Sequence, residues 1–292
     1  MNRRKLNNPS RLIVGCGYLG QRVARRWLQS GSTVFATTRS SANAQILSVA
    51  NIHPIIGDVT AADQSPERFQ SLPEVDTVLW AVGFDRDANA SYHDVHVGGL
   101  LRILEQIPNN PRVIFISSTG VWGNETTVDV DESTPACPTR EAGKVLLEAE
   151  TALGRHPKGP GVVLRLAGIY GPDRLPRVSD IRENKPIPAD PDSWLNLIHV
   201  DDAVSVICNI SALPSPKSLY VVSDTTPIRR KEWYSSLAEV TNSPPPRWAA
   251  EATRLRGGNK RVNARCIWND LQKQPDHPIA IDAMKTLLQQ SS

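Results

Sequence analysis

Residues 11–20 read Arg11-Leu12-Ile13-Val14-Gly15-Cys16-Gly17-Tyr18-Leu19-Gly20, and this stretch decides the fold. Leu12, Ile13 and Val14 form a short apolar run of strand type, and Gly15, Gly17 and Gly20 follow it in G-x-G-x-x-G spacing. Leu19, Val23 and Trp27 then recur at four-residue intervals, one apolar helix stripe that stops at Gly31. A strand, a glycine turn and a helix in that order open a dinucleotide-binding βαβ unit. The glycines allow a tight turn, close approach of the backbone to a pyrophosphate, and close helix–strand packing, while the phosphates rest on the helix N-terminus. The spacing alone is weak; the strand before it and the helix after it supply the context. Arg22, Arg25 and Arg26 lie on the other helix face and read as a solvated surface.

Outward from this unit, short β-branched runs alternate with helical patterns, as in a parallel sheet covered on both faces. Strands are predicted at Thr33–Thr38, 52–56, 76–82, 112–116, 161–167, 195–200 and Leu219–Val222, and helices at 91–106, 139–153, from Asp201, and near Arg230–Val240. The expected fold is α/β, a doubly wound parallel sheet of Rossmann type with a smaller C-terminal substrate lobe. The expected Rossmann domain covers 11–172 and is rejoined by about 195–223, with the lobe built from 173–194 and 224–292. Residues 172–192 are proline-rich and irregular, which suits a substrate loop.

Composition narrows the function. The chain has 292 residues, 40% of them apolar, so global disorder is excluded, and its net charge of +3 is too mild to imply a nucleic-acid or membrane-surface partner. No run approaches the ~20 apolar residues of a membrane span. The basic start, MNRRKLNNPS, lacks an apolar core or cleavage site and reads as a frayed tail. Cys16, Cys137, Cys208 and Cys266 are far apart with no C-x-x-C pair, which predicts free thiols and a cytoplasmic location.

The end of the second strand decides the cofactor. NAD sites place an acid about 20 residues beyond the first glycine to hold the ribose 2′-hydroxyl. Here the chain reads Phe35-Ala36-Thr37-Thr38-Arg39, with no acid. An arginine beside two hydroxyls suits a 2′-phosphate, so NADP(H) is expected in preference to NAD(H), the bland alternative being a surface arginine. Asp58 and Val59 follow the third strand, where an acid meets adenine or simply caps a loop. With Tyr18 and Leu19 of the glycine turn, Ala81, Val82 and Gly83 after the fourth strand complete the expected cofactor set.

Three further motifs carry a resemblance. Ser117-Ser118-Thr119-Gly120-Val121-Trp122-Gly123 is similar to S-S-x-x-V-Y-G, and Arg165-Leu166-Ala167-Gly168-Ile169-Tyr170-Gly171-Pro172 to R-x-x-x-x-Y-G-P. Ile198-His199-Val200-Asp201-Asp202-Ala203 is similar to the motif that precedes a late helix. In this order behind the glycine loop, they resemble the extended short-chain dehydrogenases/reductases, the NAD-dependent epimerases and dehydratases. The resemblance implies that Ser118 hydrogen-bonds the reacting substrate oxygen and that Lys144 holds the nicotinamide ribose. It also implies a tyrosine four residues before Lys144 as general acid/base, and that position is Arg140.

Arginine stays protonated at ordinary pH and cannot shuttle a proton. No other alignment rescues the phenol: Tyr18, Tyr92, Tyr170, Tyr220 and Tyr234 are followed four positions on by Arg22, His96, Arg174, Asp224 and Ala238. The extended branch also reads T-G-x-x-G-x-x-G, and Val14 occupies its first glycine position. Both departures are similar to the atypical, YeeZ-like subgroup with an eroded catalytic tetrad. A cation beside Lys144 calls for an anion, so Arg140 is expected to bind an anionic group of substrate or cofactor.

Other groups stay open between two readings. His93 or His96 is either an acid/base at the cofactor or an ordinary histidine. Arg165, Arg174 and Arg177 either clamp a phosphate or carboxylate or are solvated. Trp194 and Asn196 either re-enter the substrate cleft or pack inside. His199 with Asp201 and Asp202 lacks the further ligands a metal needs, so no metal is expected. The expected function is NAD(P)-dependent redox, epimerisation or dehydration of a sugar-nucleotide-like or other small carbonyl/alcohol substrate. The alternative is an inactive NADP(H)-binding redox sensor.

Overall fold

The computed structural model describes residues 8–61, 65, 68–85, 87, 89–123, 129–249 and 259–290. Its first elements are β1 (Ser10–Val14), α1 (Tyr18–Gln29), β2 (Thr33–Thr38), α2 (Ser41–Val49), β3 (His53–Ile56) and β4 (Thr77–Trp80). A π-helical stretch, Asp94–Gly98, runs into α3 (Gly99–Gln106), followed by β5 (Arg112–Ser118), β6 (Asp129–Val130), α4 (Glu141–Arg155), β7 (Val162–Leu166) and β8 (Gly168–Tyr170). Then come α5 (Val178–Arg182), β9 (Trp194–Leu195), β10 (Leu197–His199), α6 (Val200–Ala212) and β11 (Leu219–Val222). The last elements are β12 (Ile228–Arg229), α7 (Arg230–Val240), β13 (Arg261–Val262), α8 (Arg265–Asp270) and α9 (Ala280–Gln290).

Seven strands form one sheet in the order β3-β2-β1-β4-β5-β7-β11. The pairings of β1 with β2 and β4, β2 with β3, and β4 with β5 are parallel. Val163 N–H donates to Ser218 O and Ala167 N–H to Val222 O, so β7 and β11 advance in the same sense. This is the doubly wound order, and the strand sequence reverses between β1 and β4, where such sheets open a crevice at their carboxyl ends.

Two compact units divide the chain: Met1–Ile116 with Val145–Val163 and Ile207–Ser218, and Ser117–Lys144 with Leu164–Val206 and Leu219–Ser292. In the first, Leu12, Ile13, Val14, Val34, Ala36, Val78, Leu79 and Trp80 are fully buried along adjacent strands, the continuous apolar pattern of strands covered on both faces. Arg112, half-buried at the start of β5, donates to Ile210 O at 2.8 Å and Ser211 O at 3.1 Å, so its guanidinium satisfies the last carbonyls of α6. In the second unit Tyr170, Ile181, Ile187, Trp233, Tyr234, Leu237 and Met284 form a separate core.

Several sequence expectations shift. The strand at 195–200 is shorter and belongs to a small sheet, β10 pairing with β8. The helix predicted at 139–153 is α4, which starts after Arg140. α2 was not expected: Ile46 and Val49 point into solvent, so its apolar residues give no single stripe, and Ser40 starts it by accepting Asn43 N–H at 3.2 Å. α9 buries Ala280, Ala283 and Met284 where the sequence seemed to lack pattern.

Candidate functional site

The glycine turn assigns each glycine a different task. Gly15 has φ +93°, and an added Cβ there would lie 2.5 Å from Val82 Cα and 2.6 Å from Ala81 C and O. The chain after β1 thus passes against the backbone after β4 with no room for a side chain. Gly20 packs its α-carbon face on the turn itself, where a Cβ would meet Gly15 O at 2.5 Å. Gly17 has nothing within 4 Å of such a Cβ. Gly17 thus makes no internal packing contact that would demand a glycine. Gly17 is also the N-cap of α1 and offers no side-chain cap, and no acid occupies the first turn. A helix start without an acid in its first turn is one that suits an anion.

A cavity of about 710 Å³ opens beside this turn, entirely within the first unit. Gly15 and Gly17, Thr38 and Arg39, Asp58 and Val59, and Val82 and Gly83 all line it, so four segments remote in sequence meet at one place. Leu19 and Gly20 are instead buried in the helix–strand packing, and Tyr18 lies under the Arg22 guanidinium, 3.9 Å from its ring centroid. Asp58 Oδ1 accepts the Thr60 N–H at 2.7 Å and hydroxyl at 2.8 Å, the loop-capping geometry that accompanies its place on the cavity wall.

Among the wall residues that escaped the sequence reading are Asn43, Asp85 and Arg102. Arg102 projects from α3 and donates to Val59 O at 3.1 Å. Asp85 is the first acid after β4, so its position just beyond a strand's carboxyl end was the available signal. It accepts Arg39 Nη2–H at 3.0 Å, both side chains being about half exposed. The Arg39 hydrogen bond, then the Asp87 N–H, holds the Asp85 carboxyl below its usual range. The Cys16 thiol is pushed up to about 11 by burial and stays protonated at neutral pH.

His93 and His96 diverge. His93 is exposed, with Nε2 3.2 Å from Glu148 Oε1. His96 lies in the π-helical stretch, 4% exposed, with no hydrogen-bond partner for either ring nitrogen among the described residues. Burial pushes it down to about 4, so it is neutral at pH 7.

The second unit contains Ser118, Arg140 and Lys144. Ser118 ends β5, and its Oγ accepts the Gly120 N–H at 3.0 Å. The first turn of α4 packs on the same bend: a Cβ at Gly143 would lie 2.6 Å from Gly120 O. Arg140 O accepts the Lys144 N–H at 3.1 Å, so the four-residue register expected of these two holds at the helix start. Arg140 and Lys144 are both exposed, and Lys144 Nζ lies 3.8 Å from Glu141 Oε2. Glu141 is therefore an anion already at hand, and solvent screens the two cations from each other. The Tyr170 hydroxyl is buried and shifted well above the usual phenol range by burial, then by Asp224 and Asp202, so it is no ready substitute acid.

Arg165 is buried with its guanidinium 4.7 Å from the Trp122 ring centroid, so of its two readings the solvated one does not hold. Trp122 Nε1–H donates to Thr134 O at 3.0 Å, and Trp122 O accepts from Lys260 Nζ at 2.8 Å. Lys260 is 1% exposed, and its ammonium is lowered to about 8 by burial, then by Arg230. Asn196 is held by the same segment, donating to Lys260 O at 2.8 Å and accepting Val262 N–H at 2.9 Å. Arg177 donates to Asp180 at 2.7 Å, and Arg174 to Ile169 O at 3.3 Å. The Arg229 guanidinium covers the Trp194 ring at 3.6 Å.

His277 supplies the third group near His199 and Asp202 that the sequence reading lacked, the three ligand atoms lying within 4.8 Å of one another. The two imidazoles stack at 3.7 Å, however, so their in-plane lone pairs run side by side. Asp202 Oδ1 accepts the Asp276 N–H at 2.7 Å, and Oδ2 the His277 N–H at 3.0 Å. The cluster is a clamp on the segment before α9, with both carboxylate oxygens in use.

Comparison with known proteins agrees with this architecture. A profile of the NAD dependent epimerase/dehydratase family matches residues 12–221. Protein YeeZ of Escherichia coli is 25% identical over 273 residues, covering 91% of this chain and 95% of YeeZ. A Methylobacillus flagellatus structure, provisionally described as an NAD-dependent epimerase/dehydratase, is 28% identical with TM-score 0.75 over 98% of this chain and 99% of its own. Bordetella bronchiseptica WbmG, solved with NAD and UDP, shares the fold at TM-score 0.77 and 16% identity, over 98% of this chain and 96% of its own. No helix among the described residues is long and apolar enough to cross a membrane. With the profile match running from β1 to β11 over the doubly wound sheet and its glycine turn, the chain belongs to the NAD dependent epimerase/dehydratase family.

Proposed function

We propose that the protein binds NADP(H) in preference to NAD(H) in the cavity beside Gly17 and acts in the cytoplasm on a small carbonyl or alcohol substrate, of sugar-nucleotide type or similar. The observation that carries this reading is Arg39 at the end of β2, beside Thr38 on the cavity wall, with no acid on that strand end. An arginine fork suits a 2′-phosphate, whereas a ribose 2′-hydroxyl calls for a carboxylate. When bound, the nicotinamide supplies the acceptor or donor of a hydride. The Ser118 O–H polarises the substrate oxygen, Lys144 holds the ribose, and Arg140, in place of the phenol, holds an anionic group. Residues 173–194 and 224–292 shape the substrate lobe. The proton is carried by another group or by water, as no phenol precedes Lys144 by four positions.

Arg39→Ala is expected to weaken NADPH about tenfold or more, the scale of a lost charge-assisted hydrogen bond, and NADH less than about twofold. Titration calorimetry giving NADH an equal or better affinity than NADPH for the wild-type protein would sink the preference. For turnover, a panel of carbonyl and alcohol substrates is followed through cofactor absorbance. Ser118→Ala and Lys144→Ala should each lower an observed rate about a hundredfold.

Arg140 favours a second reading, a redox sensor that binds the cofactor without turning it over. A sensor distinguishes oxidised from reduced cofactor in affinity and exchanges no hydride with any substrate of the panel.

A further inference from the structure

Arg39 is engaged before any cofactor arrives. Its guanidinium donates to Asp85 Oδ2 at 3.0 Å, across 46 residues of chain, joining the loop after β2 to the loop after β4. Both residues line the cavity. The Asp85 carboxylate is itself aimed by the Asp87 N–H, which donates to Oδ1 at 3.1 Å and leaves Oδ2 for the arginine. With side chains 58% and 46% exposed, the pair is hydrated and exchangeable, unlike a buried bridge.

We propose that Asp85 sets the discrimination between NADP(H) and NAD(H) by competing with the ribose 2′-phosphate for Arg39. This rests on the NADP(H) reading above and extends it to a residue on a different loop. A 2′-phosphate brings nearly two negative charges to the cavity wall, and one guanidinium fork cannot face a carboxylate and a phosphate equally. Binding NADP(H) therefore requires Arg39 to leave Asp85 or to be shared, with Asp85 left as a like charge nearby. A neutral 2′-hydroxyl asks for neither, so NAD(H) binds with the pair intact. The acid missing from the end of β2 is thus present in the cavity from the opposite side, and it acts through the arginine instead of on the ribose.

The test is a double-mutant cycle on NADPH and NADH dissociation constants, using wild type, Asp85→Asn, Arg39→Ala and the double variant. Asp85→Asn keeps the shape of the side chain, and circular dichroism verifies that each variant is folded. The expected result is that Asp85→Asn tightens NADPH about three- to tenfold, moves NADH less than about twofold, and loses most of this effect when Arg39 is already alanine. If Arg39→Ala weakens NADPH selectively while Asp85→Asn leaves NADPH within about twofold or weakens it, competition is overturned and the NADP(H) reading stands. An equal gain from Asp85→Asn with and without Arg39 also overturns it, since that is bare repulsion. If Arg39→Ala leaves the NADPH-to-NADH ratio unchanged, the reading of Arg39 and the role of Asp85 fall together.

Discussion

Gly15→Ala is expected to lower the melting temperature by about 6–12 °C and to abolish cofactor binding with it. At φ +93° the backbone conformation itself disfavours any side chain. The new Cβ would in addition meet three backbone atoms of Ala81 and Val82 within 2.6 Å. Backbone cannot swing aside as a side chain can, so the ends of β1 and β4 must part. Strain and overpacking together cost about 3 kcal/mol, and each kcal/mol lowers Tm by about 2–4 °C in a chain of this size. The matching control is Gly17→Ala, whose Cβ enters open space. It should leave Tm within about 2 °C of wild type while weakening NADPH about tenfold or more. Thermal unfolding of the two variants side by side decides the matter: equal melting temperatures would refute the division of labour within the turn.

Lys260 gives the second large effect. Its ammonium, in the second unit, is lowered from 10.5 to about 8. The unfolded chain therefore binds this proton more tightly than the folded one, and stability rises with pH wherever the two forms differ in protonation. The penalty is fully present below pH 8, shrinks as pH passes through 8, and vanishes above 10.5. At 1.36 kcal/mol per pH unit the whole interval is worth about 3 kcal/mol. Lys260→Met removes the titration, so wild type should gain about 3 kcal/mol relative to the variant between pH 7 and pH 10.5. Denaturant unfolding across that range measures it, and a wild-type-minus-variant difference that stays flat would exclude a charged, buried Lys260. The neutral amine can still donate to Trp122 O, so the hydrogen bond survives the titration.

The parts of the fold that the sequence disclosed are those where local pattern and burial coincide. Leu12–Val14, the glycine turn and the Leu19-Val23-Trp27 stripe form one local unit, and residues of all four segments that line the cavity beside it are named from the sequence. α2 was opaque because Ile46 and Val49 are exposed, and periodicity reads only buried faces. Arg102 and Asn43 were opaque because each reaches the cavity from a helix that gives no local sign of its direction, whereas Asp85 was signalled only by its place beyond β4. Lys260 and His277 illustrate the same limit more strongly. Lysine is ordinarily a surface residue, and the burial of Lys260 and the docking of the half-buried His277 depend on partners 138 and 75 residues away. The substitution at Arg140, by contrast, was visible in the bare sequence, since it depends on spacing within one helix.

The Asp202 clamp has a consequence for how the chain is made. Its carboxylate is 1% exposed at the start of α6, and the backbone N–H groups that satisfy it lie 74 and 75 residues further on. During synthesis from the N-terminus, α6 emerges long before these donors do. Until residue 277 has left the ribosome, Asp202 must either stay hydrated, with the surrounding core open, or be buried as a protonated acid. A chain released short of that point keeps this defect permanently and presents an unfinished core to proteases. One interior carboxylate thereby couples the closing of the second unit to the synthesis of residues 276 and 277.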